Sequence, residues 1–206
     1  MQDKLSKKFI AAWREGCLCV HPTDTLPGLS VNPRDPQAVT ALRRFKQRES
    51  MRTFISLVPS LRVAKQWWQP LPALWEELLA KVWPGPLSVV WQASTAAPEA
   101  LRGEDGTIAL RCPLFNQESS WMNEVLSTLD TPLPTTSINQ AGKLPCLTWE
   151  EAARFGKHEG FYVPLFEPPT AVAGSPSTLI RLNPEGSFAL LRPGAFDTSV
   201  LSHRCR

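Results

Sequence analysis

No stretch of the sequence approaches the ~20 consecutive apolar residues that a helix needs to cross a bilayer. The start, MQDKLSKKFIAAWREG, alternates charged with apolar residues where a secretory leader would carry an unbroken apolar core. These two absences lead to the expectation of a cytoplasmic protein without a membrane association. Cysteine is present at positions 17, 19, 112, 146 and 205, an odd count with no CxxC pair, which argues against a disulfide framework or a zinc ribbon. Cys17 and Cys19 fall on one face if they lie on a strand, and they read as structural thiols. The histidines at 21, 158 and 203 do not cluster with them, so no metal site is expected. His21 opens a proline-bounded loop and stands there either as a packed residue or as a ligand contact. The chain also lacks GxxxxGK[ST], a GxGxxG after a strand, and GxSxG. No two carboxylates are spaced for acid–base work, and acids are scarce in the loops. P-loop, dinucleotide-binding and serine-hydrolase chemistry are thereby set aside.

What is present points to a folded enzyme-sized unit. Hydrophobic residues make up 43% and charged residues 20% of 206 positions, enough for a core and most economically one domain, 1–206. Twenty prolines are spread along the chain and punctuate elements. Tryptophans 13, 67, 68, 75 and 121 sit in amphipathic stretches and read as core. Leu5, Phe9, Ile10 and Trp13 give a helix face closed by Gly16, and CLCV follows as a buried strand. HPTDTLPGLSVNP reads as a loop. Asp35 and Pro36 supply an N-cap and a first helical residue for a helix through Val39, Leu42 and Phe45. TFISLV, LSVVWQA, TIALR, LPTTS, FYVP, TLIRL and SFALLR read as strands, with helices over 60–68, 73–82 and 118–129. Thr148 and Glu151 form a capping box for a further short helix. Strands alternating with helices predict an α/β fold with a mixed sheet.

The formal net charge is only +3, yet residues 42–52, LRRFKQRESMR, hold five cations and one acid. Arg43 and Arg44 suit a solvated helix face and a helix C-terminus. Lys46, Arg48 and Arg52 converge on the following loop, where like charges repel unless an anion joins them. Phosphate is the common partner, matched by the guanidinium fork. The loops PTDT, TTSIN and SPST add hydroxyls. Each alone is a cap or a turn, and together with the cations they describe a pocket for a small anionic ligand.

Seven segments then resemble, in order, the motifs of the YrdC family, the threonylcarbamoyl-AMP synthases. HPTDTLPGLSVNP is similar to P-T-[DE]-T-x-x-G-L, KQR to K-x-R, WPGPLSVV to W-P-G-P-[LV]-T, and TIALRCP to T-[VL]-A-[VL]-R-x-P. TTSINQAGKLP is similar to [ST]-x-S-A-N-x-S-G-x-P, SPSTLIRL to the S-T-[IV]-[IV] strand, and LLRPG to the L-R-P-G end. The resemblance implies a YrdC-like twisted open mixed sheet flanked by helices, with a basic concave cleft. It implies synthesis of threonylcarbamoyl-AMP from L-threonine, bicarbonate and ATP, with Mg²⁺ carried by the ATP phosphates and pyrophosphate released. A threonylcarbamoyl transferase complex would then modify tRNAs that read codons starting with A. By the same resemblance Lys46 and Arg48 would be catalytic. ATP would be held by Lys46, Arg48, Arg52, Thr107, Ser137, Asn139, Pro145 and Arg192, and threonine by Thr25, Arg111, Thr135 and Ser177.

The chain departs from the pattern at several places. Glu49 stands where the family has Pro, and Arg52–Phe54 replaces a K/N-P-L triplet. Ile138 replaces Ala beside the expected nucleotide, Ala141 replaces Ser, and Ser30 replaces Gly. Two other readings use the same cations. One is a paralogue that forms a carbamoyl-adenylate, which the threonine pocket would distinguish. The other is a tRNA- or dsRNA-binding module, whose affinity would depend steeply on salt and not on ATP or threonine.

Overall fold

A computed structural model describes residues 2–47, 54–140, 142–166 and 174–202. Within them nine strands form one mixed sheet. The strands are β1 (Leu18–His21), β2 (Gly28–Ser30), β3 (Ile55–Leu57), β4 (Leu87–Gln92), β5 (Thr107–Arg111), β6 (Leu133–Ser137), β7 (Phe161–Tyr162), β8 (Thr178–Leu182) and β9 (Phe188–Arg192). The helices are α1 (Gln2–Arg14), α2 (Pro36–Lys46), α3 (Leu61–Trp67), α4 (Ala73–Val82), α5 (Trp121–Thr128), α6 (Trp149–Ala153) and α7 (Ser199–Ser202). The sheet order is β7-β1-β2-β6-β3-β5-β4-β8-β9. Pairs β1·β7, β3·β5 and β4·β8 are parallel and the remainder antiparallel, so the sheet is open and mixed as expected.

Local chemistry sets the element ends. Asp35 Oδ1 accepts from the N–H groups of Gln37 and Ala38, satisfying donors that the first turn of α2 leaves open. At the other end Gln47 adopts the left-handed conformation, φ 47°, and its N–H returns to the carbonyls of Arg43 and Arg44. Arg43, Arg44 and Lys46 therefore occupy the last turn of α2, where cations complement the helix dipole. The Thr148–Glu151 capping box is formed in both directions at α6.

Helices cover the sheet and bury its apolar positions. Trp68, Trp75 and Trp83 pack with Leu87, Val89, Ile108 and Ile180 under α3 and α4. Trp68 and Trp83 stack at 5.6 Å. Phe9 and Trp13 of α1 meet Trp121, Met122 and Val125 of α5. Leu42 and Val39 of α2 pack on Leu18, Val20 and Leu29. Each fully buried leucine contributes about 2 kcal/mol through lost apolar exposure, so α2, the carrier of Lys46, is anchored by its own core face. On β5, Ile108 and Leu110 enter the core, which turns Thr107, Ala109 and Arg111 to the opposite face. That opposite face is the floor of the site. No helix of the described residues is long and apolar enough to cross a membrane.

Three details differ from the sequence-based reading. The stretch PTDTLPGLS is not all loop: Gly28–Ser30 forms β2, paired with β1 on one side and β6 on the other. His21 ends β1 instead of opening a loop, and it is wholly buried. Ile138, expected beside the nucleotide, does not line the cavity described below. It is wholly buried against Leu18, Val20 and Leu29, pointing away from the cavity that its neighbour Ser137 lines. Ser30, standing where the family has Gly, sits in regular strand register opposite Cys19 with its hydroxyl directed at the Cys19 carbonyl.

Candidate active site

A cavity of about 320 Å³ opens where β2, β3, β5, β6 and β8 meet. Its lining includes Thr23 and Thr25 of the β1–β2 turn, Gly28, Arg111 at the end of β5, and Thr135 and Ser137 on β6. Pro145, Ser177 before β8 and Arg192 at the end of β9 complete it. All four residues expected to hold threonine are therefore brought to one place. Of those expected for ATP, Ser137, Pro145 and Arg192 line the same cavity.

Arg111 is almost completely buried. Its Nε donates to the Gly85 carbonyl at 3.2 Å, and Nη1 donates to Thr25 Oγ1 at 2.9 Å. Nη2 is ion-paired with Asp24, the acid of PTDT. Sequence reasoning missed Asp24. Its own place in the PTDT motif, next to Thr25, was the available signal. The second Asp24 oxygen, Oδ2, is buried with no hydrogen-bond partner among the described residues. Arg192 is held differently: Nε and Nη2 donate to the Ser177 carbonyl at 3.2 and 2.7 Å, and Nη2 also reaches Ser177 Oγ at 3.1 Å. Ser177 Oγ is in turn 2.7 Å from Ser88 Oγ. Burial and the Arg111 charge lower the Arg192 pKa. Two guanidiniums thus act on each other across one cavity, an arrangement that an anion between them relieves.

Lys46 is not a solvated cation. It is 2% exposed, and its Nζ donates to the Ser137 carbonyl at 2.7 Å and to Asn139 Oδ1 at 2.6 Å. Ser137 Oγ donates to the same Asn139 oxygen at 2.7 Å. Lys46 and Asn139 therefore sit behind Ser137 and brace the wall it forms. Thr107 does not line the cavity. It shares a face of β5 with Arg111 but lies four residues away, about 13 Å along a strand, and its hydroxyl donates to Asp105 at 2.7 Å. Arg48, Arg52, Glu49 and Ala141 lie outside the described residues, which leaves two of the five cations of the basic run undescribed. His203 and Cys205 lie outside them too.

The described thiols offer no nucleophile. Burial pushes Cys112 up to about 11 and raises Cys17, Cys19 and Cys146. Among the described residues no three His, Cys, Asp or Glu side chains are grouped to hold a metal. What the site offers is fixed donors, two cations and hydroxyls, which suits binding and electrostatic stabilisation of an anion.

The sheet order and the site define an α/β protein with a cavity lined by two guanidiniums and several hydroxyls on its sheet. The profile of the Sua5/YciO/YrdC family, described as "Telomere recombination", matches residues 11–194. The chain belongs to that family. It is 30% identical over 145 residues to a threonylcarbamoyl-AMP synthase of Halorhodospira halophila, covering 70% of this chain and 74% of that one. It is 25% identical over 201 residues to a threonylcarbamoyl-AMP synthase of Mus musculus, covering 95% and 70%. Among solved structures it superimposes on P. abyssi Sua5 complexed with L-threonine with a TM-score of 0.75 and 31% identity, covering 94% of this chain. The chain spans 55% of that longer protein. E. coli YciO matches with a TM-score of 0.78 and 19% identity over 98% of this chain and 94% of that one, a likeness of fold.

Proposed function

We propose that this protein makes threonylcarbamoyl-AMP from L-threonine, bicarbonate and ATP, releasing pyrophosphate and water, and that residues 1–206 work as one domain. The observation that carries the reading is the single cavity in which Arg111 and Arg192 face a wall of hydroxyls. A zwitterionic amino acid fits it, with its carboxylate on a guanidinium and its amine on hydroxyl oxygens. Thr25, Arg111, Thr135 and Ser177 are the proposed threonine contacts. Ser137, Asn139, Pro145 and Arg192, with Lys46, Arg48 and Arg52 of the basic run and Thr107 further along β5, are the proposed ATP contacts. ATP enters with its own Mg²⁺ as substrate, since phosphate oxygens are the ligands that ion prefers.

The chemistry asks little acid–base work of the protein. The threonine amine adds to bicarbonate or an activated form of it, and the resulting carbamate oxygen attacks the α-phosphorus as pyrophosphate leaves. Negative charge grows on phosphoryl oxygens and on the leaving group. Cations fixed in advance stabilise that charge without reorganising. A recessed cavity also keeps water from a labile carbamate. The product would pass to a threonylcarbamoyl transferase complex acting on tRNA.

The deciding experiment is pyrophosphate release from MgATP and bicarbonate with L-threonine, serine, glycine or no amino acid. Release that requires threonine is the expected result. Release without any amino acid would favour a carbamoyl-adenylate former. No release from a folded sample would overturn the proposal, and a salt titration of tRNA binding would then test the RNA-binding alternative.

A further inference from the structure

The direction of each hydroxyl on one wall of the cavity follows from its partners. Thr23 has one hydroxyl proton, and its Oγ1 lies 2.7 Å from the Leu26 carbonyl, which can only accept. That proton is committed. Thr23 Oγ1 also lies 3.0 Å from Thr25 Oγ1, so Thr25 is the donor in that contact. Thr25 in addition receives the Arg111 Nη1–H. Its proton is used, and only a lone pair remains toward the cavity.

Thr135 reaches the same condition through a different partner. His21 Nδ1 lies 3.1 Å from the Pro22 carbonyl, an obligate acceptor, so Nδ1 carries a proton. The ring is wholly buried, and burial, with the Arg111 charge adding to it, pushes its pKa down to about 4. The imidazole is therefore neutral and Nε2 is bare. Thr135 Oγ1, 3.0 Å from Nε2, donates to it and shows the cavity lone pairs alone. Gly28 makes this contact possible: a Cβ there would lie 2.5 Å from both the His21 ring and Thr135 Oγ1.

We infer that His21 and Thr23 are positioning residues that fix the Thr135 and Thr25 hydroxyls as acceptors, making this wall the seat of the ligand's amine and leaving the carboxylate to the guanidiniums. The inference rests on the reading of the cavity as an amino-acid site. An amine brings several N–H donors to these oxygens. A ligand lacking it leaves both acceptors buried and unmatched, which is the stronger source of discrimination in a polar pocket.

Two measurements test it. In the ligand-free protein, long-range ¹H–¹⁵N spectra at neutral pH report the His21 tautomer directly. The Nδ1–H form is expected, whereas the Nε2–H form or an imidazolium overturns the inference. Titration calorimetry then compares L-threonine with (R)-3-hydroxybutyrate, which keeps the carboxylate and hydroxyl and lacks the amine. His21→Phe frees the Thr135 proton to turn into the cavity. It is expected to weaken threonine about tenfold, the loss of one matched hydrogen bond, while 3-hydroxybutyrate binding holds or improves. Thr23→Val is expected to act in the same direction and Thr23→Ser to restore binding. An equal effect on both ligands in folded variants overturns the inference. Wild-type protein that binds no threonine overturns the proposed substrate instead, and the tautomer then decides alone whether the hydroxyl polarity stands.

Discussion

Arg111 and Arg192 look into the same cavity, but they are kept there by opposite means. Arg111 comes from the central strand β5, donates to the Gly85 carbonyl and to Thr25, and is ion-paired with Asp24. Arg192 comes from the edge strand β9, rests on Ser177 and Ser177's carbonyl, and has no carboxylate partner among the described residues. Identical side chains thus divide two tasks. The first is a shape: a rigid fork whose position is set by its neighbours and whose charge Asp24 partly offsets. The second is a charge held partly out of water, whose repulsion from Arg111 makes an incoming anion welcome. A cleft can look basic in composition while its field comes from only some of its cations.

The largest effect that would sharpen this contrast belongs to Arg111. Arg111→Ala leaves Asp24 buried without its counter-charge and should destabilise the fold by about 3 kcal/mol or more in urea unfolding. Adding Asp24→Asn to that variant should recover about half of the loss. A cost below about 1 kcal/mol for the single change would break the claim that Arg111 is structurally bound. A comparable effect comes from His21 on the same side, whose packed surroundings are Phe9, Gly28, Thr135 and the one charged group acting on it, Arg111. The unfolded ring takes up a proton at 6.5, whereas the folded ring resists it down to about 4. Stability should therefore fall as pH drops through that window, by about 3 kcal/mol in total, and His21→Phe should remove this component. A flat stability profile over the same range in wild-type protein would contradict the buried neutral ring.

Arg192→Ala should do the reverse of Arg111→Ala. Unfolding should change by no more than about 1 kcal/mol, while MgATP affinity falls tenfold or more, as befits charge-assisted bonds of about 1.5–3 kcal/mol. Unchanged nucleotide affinity would return the anion field to Lys46 and its neighbours. The smallest expected effect is a control at a residue that does not line the cavity. Thr148→Ala removes the capping box of α6, and it should lower stability by about 1 kcal/mol with threonine and nucleotide binding intact.

These pairings were the part that the sequence hid. Helices and most strands announce themselves because their signals are local: the Asp35–Pro36 start of α2, the Thr148–Glu151 box, the alternation in TIALR. Three residues, Gly28–Ser30, carry no such signal. They become a strand because β1 and β6 lie on either side to receive their backbone groups. Which way Ile138 points, and that Asp24 meets Arg111 across 87 residues, are likewise products of the assembled sheet. The motifs located the cavity, since Thr25, Arg111, Thr135, Ser137, Pro145, Ser177 and Arg192 all arrive there. They did not foretell that Lys46 would be buried behind it, because helical periodicity says nothing of which carbonyl a lysine finds.

Gly28 carries a consequence for how this site can change over generations. As long as the His21 ring and the Thr135 hydroxyl touch, no side chain larger than hydrogen fits at position 28. The three positions are therefore one inherited unit. A lineage that replaced the glycine first would break the contact before gaining anything. One that shed the histidine first would open the space and free the glycine to drift. The route to a cavity with a different ligand preference begins at His21, and Gly28 can only follow.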